Sequence, residues 1–390
     1  MKLTLIRNGS VIAPQPLGLQ DILVAGDRIV AVADPGTISI SGIEVDEIDA
    51  SDLFILPGMV DSHVHILGGG GEGGPATRAP EILIEDIVGS GVTTVIGCLG
   101  TDGITRHPSS LLAKARGLED EGITAYIFVG SYELPVRTLT GSVRSDLALL
   151  RPVLGVGEIA VSDHRSAQPT FDELARLAAE CRVGGMLGGR PGILHLHLGD
   201  GKRGLELVFR IVHETEIPVT QIIPTHCNRN PGLLDEAFRF AAEGGRIDLT
   251  AGVGEHAPAM SVEAAIRQAV EKGVPLDRIS VSSDGNGSLP VFDKDGKLER
   301  LDVASQLSML EQLRSIVRGG TLELPLATAL FSASPAAFYG LDRKGRVEVG
   351  ADADLIFLDR DLELVHVLAR GKRAVTDGTV VLRGTFSLQV

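Results

Sequence analysis

The fold of this chain is decided by residues 54–65, FILPGMVDSHVH, which lead directly into Gly68-Gly69-Gly70-Gly71. An apolar run ends there in His63 and His65. Side chains alternate between the two faces of a β-strand, so these two imidazoles point the same way and can bind one metal ion together. A His-x-His pair also occurs among ordinary polar core residues. The stretch therefore predicts a buried strand that ends at a metal site. This interpretation requires further candidate ligands elsewhere in the chain.

Length and charge limit the class of protein. The 390 residues suffice for one large domain and a smaller one. The chain carries 36 Lys and Arg against 51 Asp and Glu, a formal charge of −15. Because this charge repels phosphate backbones and anionic lipids, nucleic acids and membrane surfaces are poor candidates for partners.

Cysteine usage and the amino-terminal residues indicate the compartment. Cys98, Cys181 and Cys227 are odd in number and far apart, which favours a reducing compartment over a disulfide framework. The first residues lack the long apolar region of a signal peptide, and no stretch reaches the roughly 18 apolar residues of a membrane span. We expect a cytoplasmic protein without a membrane segment.

Short β-branched runs alternate with longer amphipathic runs between about residues 55 and 340. This alternation is typical of βα units around a parallel sheet, and amphipathic stretches follow most of the strand candidates. Eight units predict a (β/α)8 TIM barrel, with a doubly wound open sheet as the alternative. The predicted strands are Ile55–His65, Val92–Leu99, Ala125–Ser131, Gly155–Asp163, Ile193–Leu198, Val219–Cys227, Ile247–Ala251 and Ile279–Asp284.

The two ends of the chain differ from this middle part. Residues 1–54 and 341–390 contain short alternating segments with turn signals, which read as β-rich. Because they flank the barrel in sequence, we expect them to pair into one small β-sandwich-like domain. The predicted division is therefore 1–54 with 341–390 as the small β domain, and 55–340 as the barrel.

Polar residues recur where the predicted strands end. Functional groups of such a barrel lie at the carboxyl ends of its strands, so these residues are expected to converge. Imidazoles and carboxylates are suitable ligands for one or two divalent ions, and zinc is the favoured ion. The candidate ligands are His63, His65, Glu158, His197, His226 and Asp284.

Several longer stretches carry a resemblance to a known family. The chain resembles the isoaspartyl (β-aspartyl) dipeptidases of the amidohydrolase superfamily over nearly its whole length. This resemblance implies metal-dependent hydrolysis of the isopeptide bond of a small β-aspartyl dipeptide, and assembly into a homo-oligomer. The stretches that carry it are residues 57–65, 68–75, 99–102, 162–166, 224–230 and 282–288.

The resemblance also implies roles for individual residues. His63 and His65, with Asp284, would hold the more buried of two ions, while His197 and His226 would hold the more exposed one. A hydroxide would bridge both ions. Asp284 would take the proton of this hydroxide and pass it to the leaving amine. Tyr132 would donate a hydrogen bond to the developing oxyanion.

Glu158 departs from the family pattern. Isoaspartyl dipeptidases usually carry a CO2-carboxylated lysine at the matching position, where it bridges the metals. A glutamate supplies the same charge on a shorter side chain, so either the strand or the ions must shift, or one ion is lost. We favour a Glu158-bridged site with two ions over a site with one.

The charges of the expected substrate indicate roles for the remaining charged residues. A β-aspartyl dipeptide has one ammonium and two carboxylates, so its pocket needs one anion and two cations. The resemblance places Glu72 at the ammonium and Arg165 and Arg229 at the carboxylates, where a planar guanidinium can bind through two hydrogen bonds. Thr101 and Ser288 would add hydrogen bonds.

Two other functions remain open. Glu158 allows a different amidohydrolase, such as a cyclic amidase or an N-acyl amino acid deacylase, although paired arginines argue against a neutral cyclic substrate. A non-catalytic oligomeric scaffold is the alternative outside enzymes. The presence of the complete set of candidate metal ligands argues against a scaffold.

Overall fold

Five strands form the amino-terminal part of the chain. The computed structural model describes residues 2–252, 260–292 and 297–387. The strands are β1 (Leu3–Ile12), β2 (Pro16–Ala25), β3 (Arg28–Ala33), β4 (Asp46–Asp49) and β5 (Phe54–Pro57). β1, β2 and β3 form an antiparallel meander, and β4 and β5 both pair with β1 in parallel.

The predicted strand Ile55–His65 is wrong as a single element. β5 ends at Pro57, and β6 (Met59–Val64) begins a different sheet. Proline lacks the N–H that a continuous ladder needs. The Gly58 amide instead donates to the Asp354 carbonyl oxygen at 2.8 Å. A Cβ on Gly58 would lie 2.2 Å from the Thr93 hydroxyl oxygen, so only glycine fits this crossing point.

In the middle of the chain, the described residues form eight parallel strands and seven helices that follow one another. Strands β6 to β11 form one parallel sheet in sequence order, and β12 and β13 form a parallel pair. The sheet is curled and consistent with a TIM-like barrel. The elements after β6 are α1 (Ile84–Val88), β7 (Val92–Gly97), α2 (Pro108–Glu121), β8 (Thr124–Val129), α3 (Val143–Leu149), β9 (Val153–Val161), α4 (Phe171–Gly188), β10 (Ile193–Leu198), α5 (Glu206–Glu214), β11 (Ile222–Thr225), α6 (Pro231–Ala242), β12 (Ile247–Thr250), α7 (Val262–Glu271) and β13 (Ile279–Ser282).

Local sequence explains why these elements begin where they do. The Thr170 hydroxyl accepts from the Glu173 amide while the Glu173 carboxylate accepts from the Thr170 amide, a capping box that starts α4. Asn230 caps the start of α6, where its side chain accepts from the Leu233 amide, at the end of the short segment that leads out of β11. Such caps satisfy amides that have no partner within the helix, and they set the turn that leads out of each strand.

The remaining elements include a separate hairpin, three helices and the strands that complete the first sheet. They are β14 (Ser288–Phe292), β15 (Leu298–Val303), α8 (Ser308–Arg318), α9 (Leu324–Phe331), α10 (Ala333–Phe338), β16 (Leu355–Leu358), β17 (Leu364–Ala369), β18 (Lys372–Thr376) and β19 (Thr379–Val380). β14 and β15 form an antiparallel hairpin. β16 pairs antiparallel with β5, so strands from both ends of the chain share one nine-stranded sheet. Among the described residues, no helix has the length and apolar character needed to cross a membrane.

Candidate active site

The six candidate metal ligands converge at the carboxyl ends of the parallel strands, and all six are buried. They divide into two groups that share one glutamate. In the first group, the Nε2 atoms of His63 and His65 both lie 3.4 Å from Glu158 Oε1. The same two nitrogens lie 3.5 and 3.1 Å from Asp284 Oδ1. Two strand ends, β6 and β13, and the middle of β9 supply these four side chains.

The first group contains atoms that lack a hydrogen-bond partner. His63 Nε2 and Asp284 Oδ1 are both buried and unpartnered, although each faces polar atoms of the group. Burying a polar atom without a partner costs free energy, so such atoms usually mark a ligand site. Their chemistry, imidazole nitrogen and carboxylate oxygen, suits a divalent cation.

The second group lies on the other oxygen of Glu158. Glu158 Oε2 is 3.0 Å from His197 Nδ1 and 3.6 Å from His226 Nε2. The Tyr132 hydroxyl lies 2.8 Å from His197 Nδ1. His226 Nδ1 contacts the Thr250 hydroxyl at 2.6 Å, which leaves Nε2 directed at Glu158. One carboxylate therefore faces two sets of imidazoles, one with each oxygen.

Glu158 reaches this position from an irregular strand. In the pairing of β9 with β10, Leu194 is opposite Val156 and Leu196 is opposite Ile159. On β10, one residue, His195, separates Leu194 from Leu196. On β9, two residues, Gly157 and Glu158, separate Val156 from Ile159. Such a β-bulge re-aims a side chain. A Cβ on Gly157 would lie 2.8 Å from His195 Cβ, so the bulge needs glycine beside Glu158.

Two ligands have unusual backbone conformations. His226 and Asp284 have φ angles of 60° and 55°, in the left-handed region that non-glycine residues rarely adopt. Residues held in such conformations cluster at functional sites because the surrounding structure must hold them there. Gly287 packs against Asp284, and a Cβ on Gly287 would lie 2.4 Å from Asp284 Oδ1.

The electrostatics of the site keep the carboxylates ionised. Burial would raise the pKa of Glu158, but the His63 and His197 imidazoles outweigh this effect and hold its pKa well below the usual value. Burial also lowers the pKa of His63, but Cys98 and Glu158 beside it raise that pKa well above the usual value. Burial lowers the pKa of His226 to about 3, so this imidazole is neutral and able to bind a metal.

Tyr132 keeps its proton in this environment. Burial and the nearby charge of Glu158 raise the pKa of the Tyr132 hydroxyl well above its usual value. The hydroxyl is therefore a hydrogen-bond donor at neutral pH. The Tyr132 ring lies next to Arg165, whose guanidinium carbon is 5.3 Å from the ring centroid.

Three residues of the site have no assigned role in the sequence analysis. Cys98, which the sequence indicates only as one of three unpaired cysteines, lies with His63, His65 and Glu158 in a group whose ligand atoms are within 4.8 Å of one another. Asp163 Oδ2 lies 2.9 Å from His197 Nε2 and orients that ring. His195 contacts His63. The sequence signal that could have identified these three residues is their position within the parallel strands or directly after them.

The two arginines differ in how freely their side chains can meet a ligand. The Arg165 guanidinium donates to both oxygens of Asp163, at 3.1 and 2.8 Å, and its Nη1 lies 3.5 Å from Glu72 Oε1. Arg229 is less engaged among the described residues, where its acidic partner is Asp200 at 3.8 Å and its buried Nε has no hydrogen-bond partner. The structure thus separates two residues that the sequence analysis treats alike.

Glu72 is the centre of a polar contact set beside the cavity. Its Oε1 accepts from the Thr101 hydroxyl at 3.1 Å and from the Ser288 hydroxyl at 2.8 Å, in addition to its ion pair with Arg165. Its Oε2 is buried without a partner. The candidate substrate-binding residues Glu72, Thr101, Ser288 and Arg165 are therefore brought together, with one carboxylate oxygen of Glu72 still able to accept a donor.

A single cavity of about 350 Å³ joins these groups. Its walls include His65, His197 and Asp284 from the ligand groups. Thr101, Tyr132, Arg165, Arg229 and Ser288 also line it, and so does the start of the β14–β15 hairpin at Leu289 and Pro290. The cavity has the size of a small-molecule site.

The chain is similar to several known enzymes of the amidohydrolase family. The amidohydrolase family model matches residues 258–382. The curated 5-methylthioadenosine/S-adenosylhomocysteine deaminase of Haloarcula marismortui is 28% identical, over 97% of this chain and 92% of its own. The β-aspartyl dipeptidase of Fervidobacterium islandicum AW-1, crystallised with β-Asp-Leu, is 43% identical with a TM-score of 0.90. That match covers 97% of this chain and 98% of the relative.

Curled parallel strands with imidazoles and carboxylates at their carboxyl ends define a hydrolytic enzyme of the amidohydrolase superfamily, whose members depend on metal ions. A second crystal structure of the Fervidobacterium enzyme matches at 41% identity and a TM-score of 0.89, again over 97% and 98% of the two chains. The chain belongs to the isoaspartyl (β-aspartyl) dipeptidase family of this superfamily.

Proposed function

We propose that this enzyme hydrolyses the isopeptide bond of β-aspartyl dipeptides. The observation that carries the proposal is that one cavity is lined by candidate metal ligands together with Arg165 and Arg229, while Glu72 pairs with Arg165 at 3.5 Å. This set of charges matches such a dipeptide. The crystallised relative with 43% identity binds β-Asp-Leu, which supports the same substrate class here. A neutral cyclic amide would offer Arg229 no carboxylate to bind.

We further propose that two divalent ions bind, with zinc favoured, and that Glu158 is shared between them. The unpartnered His63 Nε2 and Asp284 Oδ1 support the more buried position. His197, His226 and the second oxygen of Glu158 support the more exposed one. When bound, the metal supplies a Lewis acid that polarises the scissile carbonyl and makes a water more acidic.

The protein residues then handle the proton and the developing charge. Asp284 lines the cavity with a carboxylate whose pKa is lowered despite burial, because the neighbouring histidines favour its ionised form. It accepts a proton from the attacking water and delivers it to the leaving amine. The Tyr132 hydroxyl, which stays protonated, donates to the carbonyl oxygen as negative charge develops there.

Binding of the two substrate ends follows from the contacts of the charged residues. Glu72 Oε2, which has no partner, would accept from the substrate ammonium, with Thr101 and Ser288 fixing the carboxylate. Arg229 would be the main carboxylate anchor, since among the described residues its guanidinium pairs only with Asp200, at 3.8 Å. Arg165 would contribute a second cation while also holding Asp163.

The finer architecture is also part of the proposal. The His65 amide donates to the Gly285 carbonyl at 2.9 Å and the Cys227 amide donates to the Asp248 carbonyl at 3.1 Å, which supports a closed (β/α)8 barrel. We propose this barrel as the hydrolase domain, 55–340 apart from β5, and the nine-stranded sheet as a small domain from 1–54 and 341–390. A homo-oligomeric, cytoplasmic enzyme is proposed from the sequence.

Metal analysis combined with a substrate panel tests the function. Purified protein that has never met a chelator should contain up to two divalent ions per chain and should hydrolyse β-Asp-Leu. Chelation should abolish this activity, and zinc should restore it. α-Asp-Leu, N-acetylleucine and dihydroorotate serve as controls for peptidase, deacylase and cyclic amidase activity. A metal-loaded enzyme that hydrolyses any control faster than β-Asp-Leu would contradict the proposal.

A further inference from the structure

His195 is a buried titratable residue that the proposed reaction does not use. It lies on β10 two residues before His197, so both rings point into the interior of the curled sheet. Its side chain is fully buried and stacks on Phe128, with ring centroids 4.8 Å apart and planes 14° apart. Stacking at this angle fixes the plane of the His195 ring.

Both ring nitrogens of His195 have partners. His195 Nε2 lies 2.8 Å from His63 Nδ1, and His195 Nδ1 lies 3.1 Å from the Tyr339 hydroxyl. Tyr339 is itself fully buried and directly follows α10. A chain of hydrogen-bonding contacts thus runs from His63 on β6 through His195 on β10 to Tyr339, which follows the eight parallel strands in the sequence.

The order of protons along this chain of contacts follows from the role of His63. His63 Nε2 faces Glu158 and Asp284, so metal binding there needs its lone pair and leaves the proton on Nδ1. His63 Nδ1–H then donates to His195 Nε2. A neutral His195 must consequently carry its own proton on Nδ1 and donate it to the Tyr339 oxygen.

His63, His197 and His226 each have one ring nitrogen that faces the candidate metal position and a second nitrogen with a hydrogen-bond partner. The chemistry of this partner differs among the three. His197 meets the carboxylate of Asp163, and His226 meets the hydroxyl of Thr250. His63 meets an imidazole instead. A carboxylate partner would add negative charge beneath a site that already has Glu158 and Asp284, whereas His195 orients the ring without adding charge.

We propose that His195 and Tyr339 are positioning residues that hold His63 in its Nδ1–H tautomer and fix its ring for the more buried metal position. The proposal rests on the metal site inferred above. His195 neither touches the cavity nor reacts, and its effect passes through His63. Its removal therefore weakens metal binding rather than the contact with substrate.

Nitrogen-15 NMR of histidine-labelled, zinc-loaded protein tests the tautomer directly. We expect His195 to be protonated on Nδ1 and unprotonated on Nε2, with its signals assigned by their loss in His195→Gln. Protonation of His195 Nε2 would overturn the proposal. If the wild-type protein binds no divalent ion at all, the proposed function fails instead, so the two failures are distinguishable.

Metal affinity of variants provides the second test, by competition with a chelator. His195→Leu should weaken binding of one ion about 10- to 100-fold. His195→Gln, whose amide oxygen can accept from His63 Nδ1–H, should recover most of this loss. Tyr339→Phe should weaken binding by about 2- to 10-fold, as expected for one hydrogen bond. The matched control is Phe240→Leu, which changes buried aromatic packing on α6 and does not alter the contacts of His195.

Thermal melting of metal-free protein separates positioning from folding. If His195→Leu does not fold, Tyr339→Phe and the tautomer measurement still decide the question. A folded His195→Leu that binds both ions as tightly as wild type would overturn the proposal. Equal losses in His195→Leu and His195→Gln would do the same, because only the second retains an acceptor for His63.

Discussion

Arg229 should be the residue that most strongly recognises a substrate carboxylate. Its side chain is 28% exposed and lines the cavity, and its acidic partner in the described part of the chain, Asp200, lies 3.8 Å away. A hydrogen bond to a charged group contributes about 1.5–3 kcal/mol. At about 1.4 kcal/mol per factor of ten, Arg229→Gln should lower kcat/KM for β-Asp-Leu about 10- to 150-fold. Most of this loss should be an increase in KM, because the contact is made before the reaction.

Arg165 should respond differently to the same substitution. Its guanidinium holds Asp163, and Asp163 in turn orients His197. Arg165→Gln should therefore lower kcat as well as raise KM, because it disturbs a candidate metal ligand. The surface residue Arg137, which pairs with Glu133 outside the cavity, provides the matched control. Arg137→Gln should leave both constants unchanged.

Steady-state kinetics with modified dipeptides identify the contact. One analogue carries an amide in place of the aspartyl α-carboxylate, and another carries an amide in place of the leucine carboxylate. The analogue that lacks the partner of Arg229 should be cleaved equally by wild type and Arg229→Gln, whereas the other should retain the full loss. A uniform loss on all three substrates, or a loss confined to kcat, would refute carboxylate recognition by Arg229.

Three further predictions concern the metal ligands. Asp284→Asn should lower kcat about 10²- to 10⁴-fold, since an amide cannot transfer the proton, and full activity in kinetic assays would contradict that role. Glu158→Gln should reduce elemental metal content to one ion per chain or fewer, because one shared carboxylate is lost. Two retained ions would show that Glu158 is not shared. His63 and His65 have pKa values raised above the usual value despite burial, so binding must displace protons. Apparent metal affinity should then rise with pH, and calorimetry in buffers of different ionisation enthalpy should detect proton release. Binding without proton release would contradict this linkage.

The sequence by itself determined the elements that depend on near neighbours. Alternation along a strand placed His63 and His65 on one face, and the succession of β-branched and amphipathic runs predicted β7 to β13 within a few residues of their observed bounds. The tendency of parallel strands to end at one edge brought His197, His226 and Asp284 to the same site. These features follow from the local backbone period.

Only the tertiary structure decided the features that depend on distant residues. The break at Pro57 reflects the pairing of β5 with β16, three hundred positions later in the chain. The bulge at Glu158 exists because β10 lies alongside, and the commitment of Arg165 to Asp163 depends on a turn that the sequence pattern does not show. His195 meets Tyr339 across 144 positions. Periodicity is a property of consecutive residues, whereas the partner of each polar atom is set by which segments pack together in space.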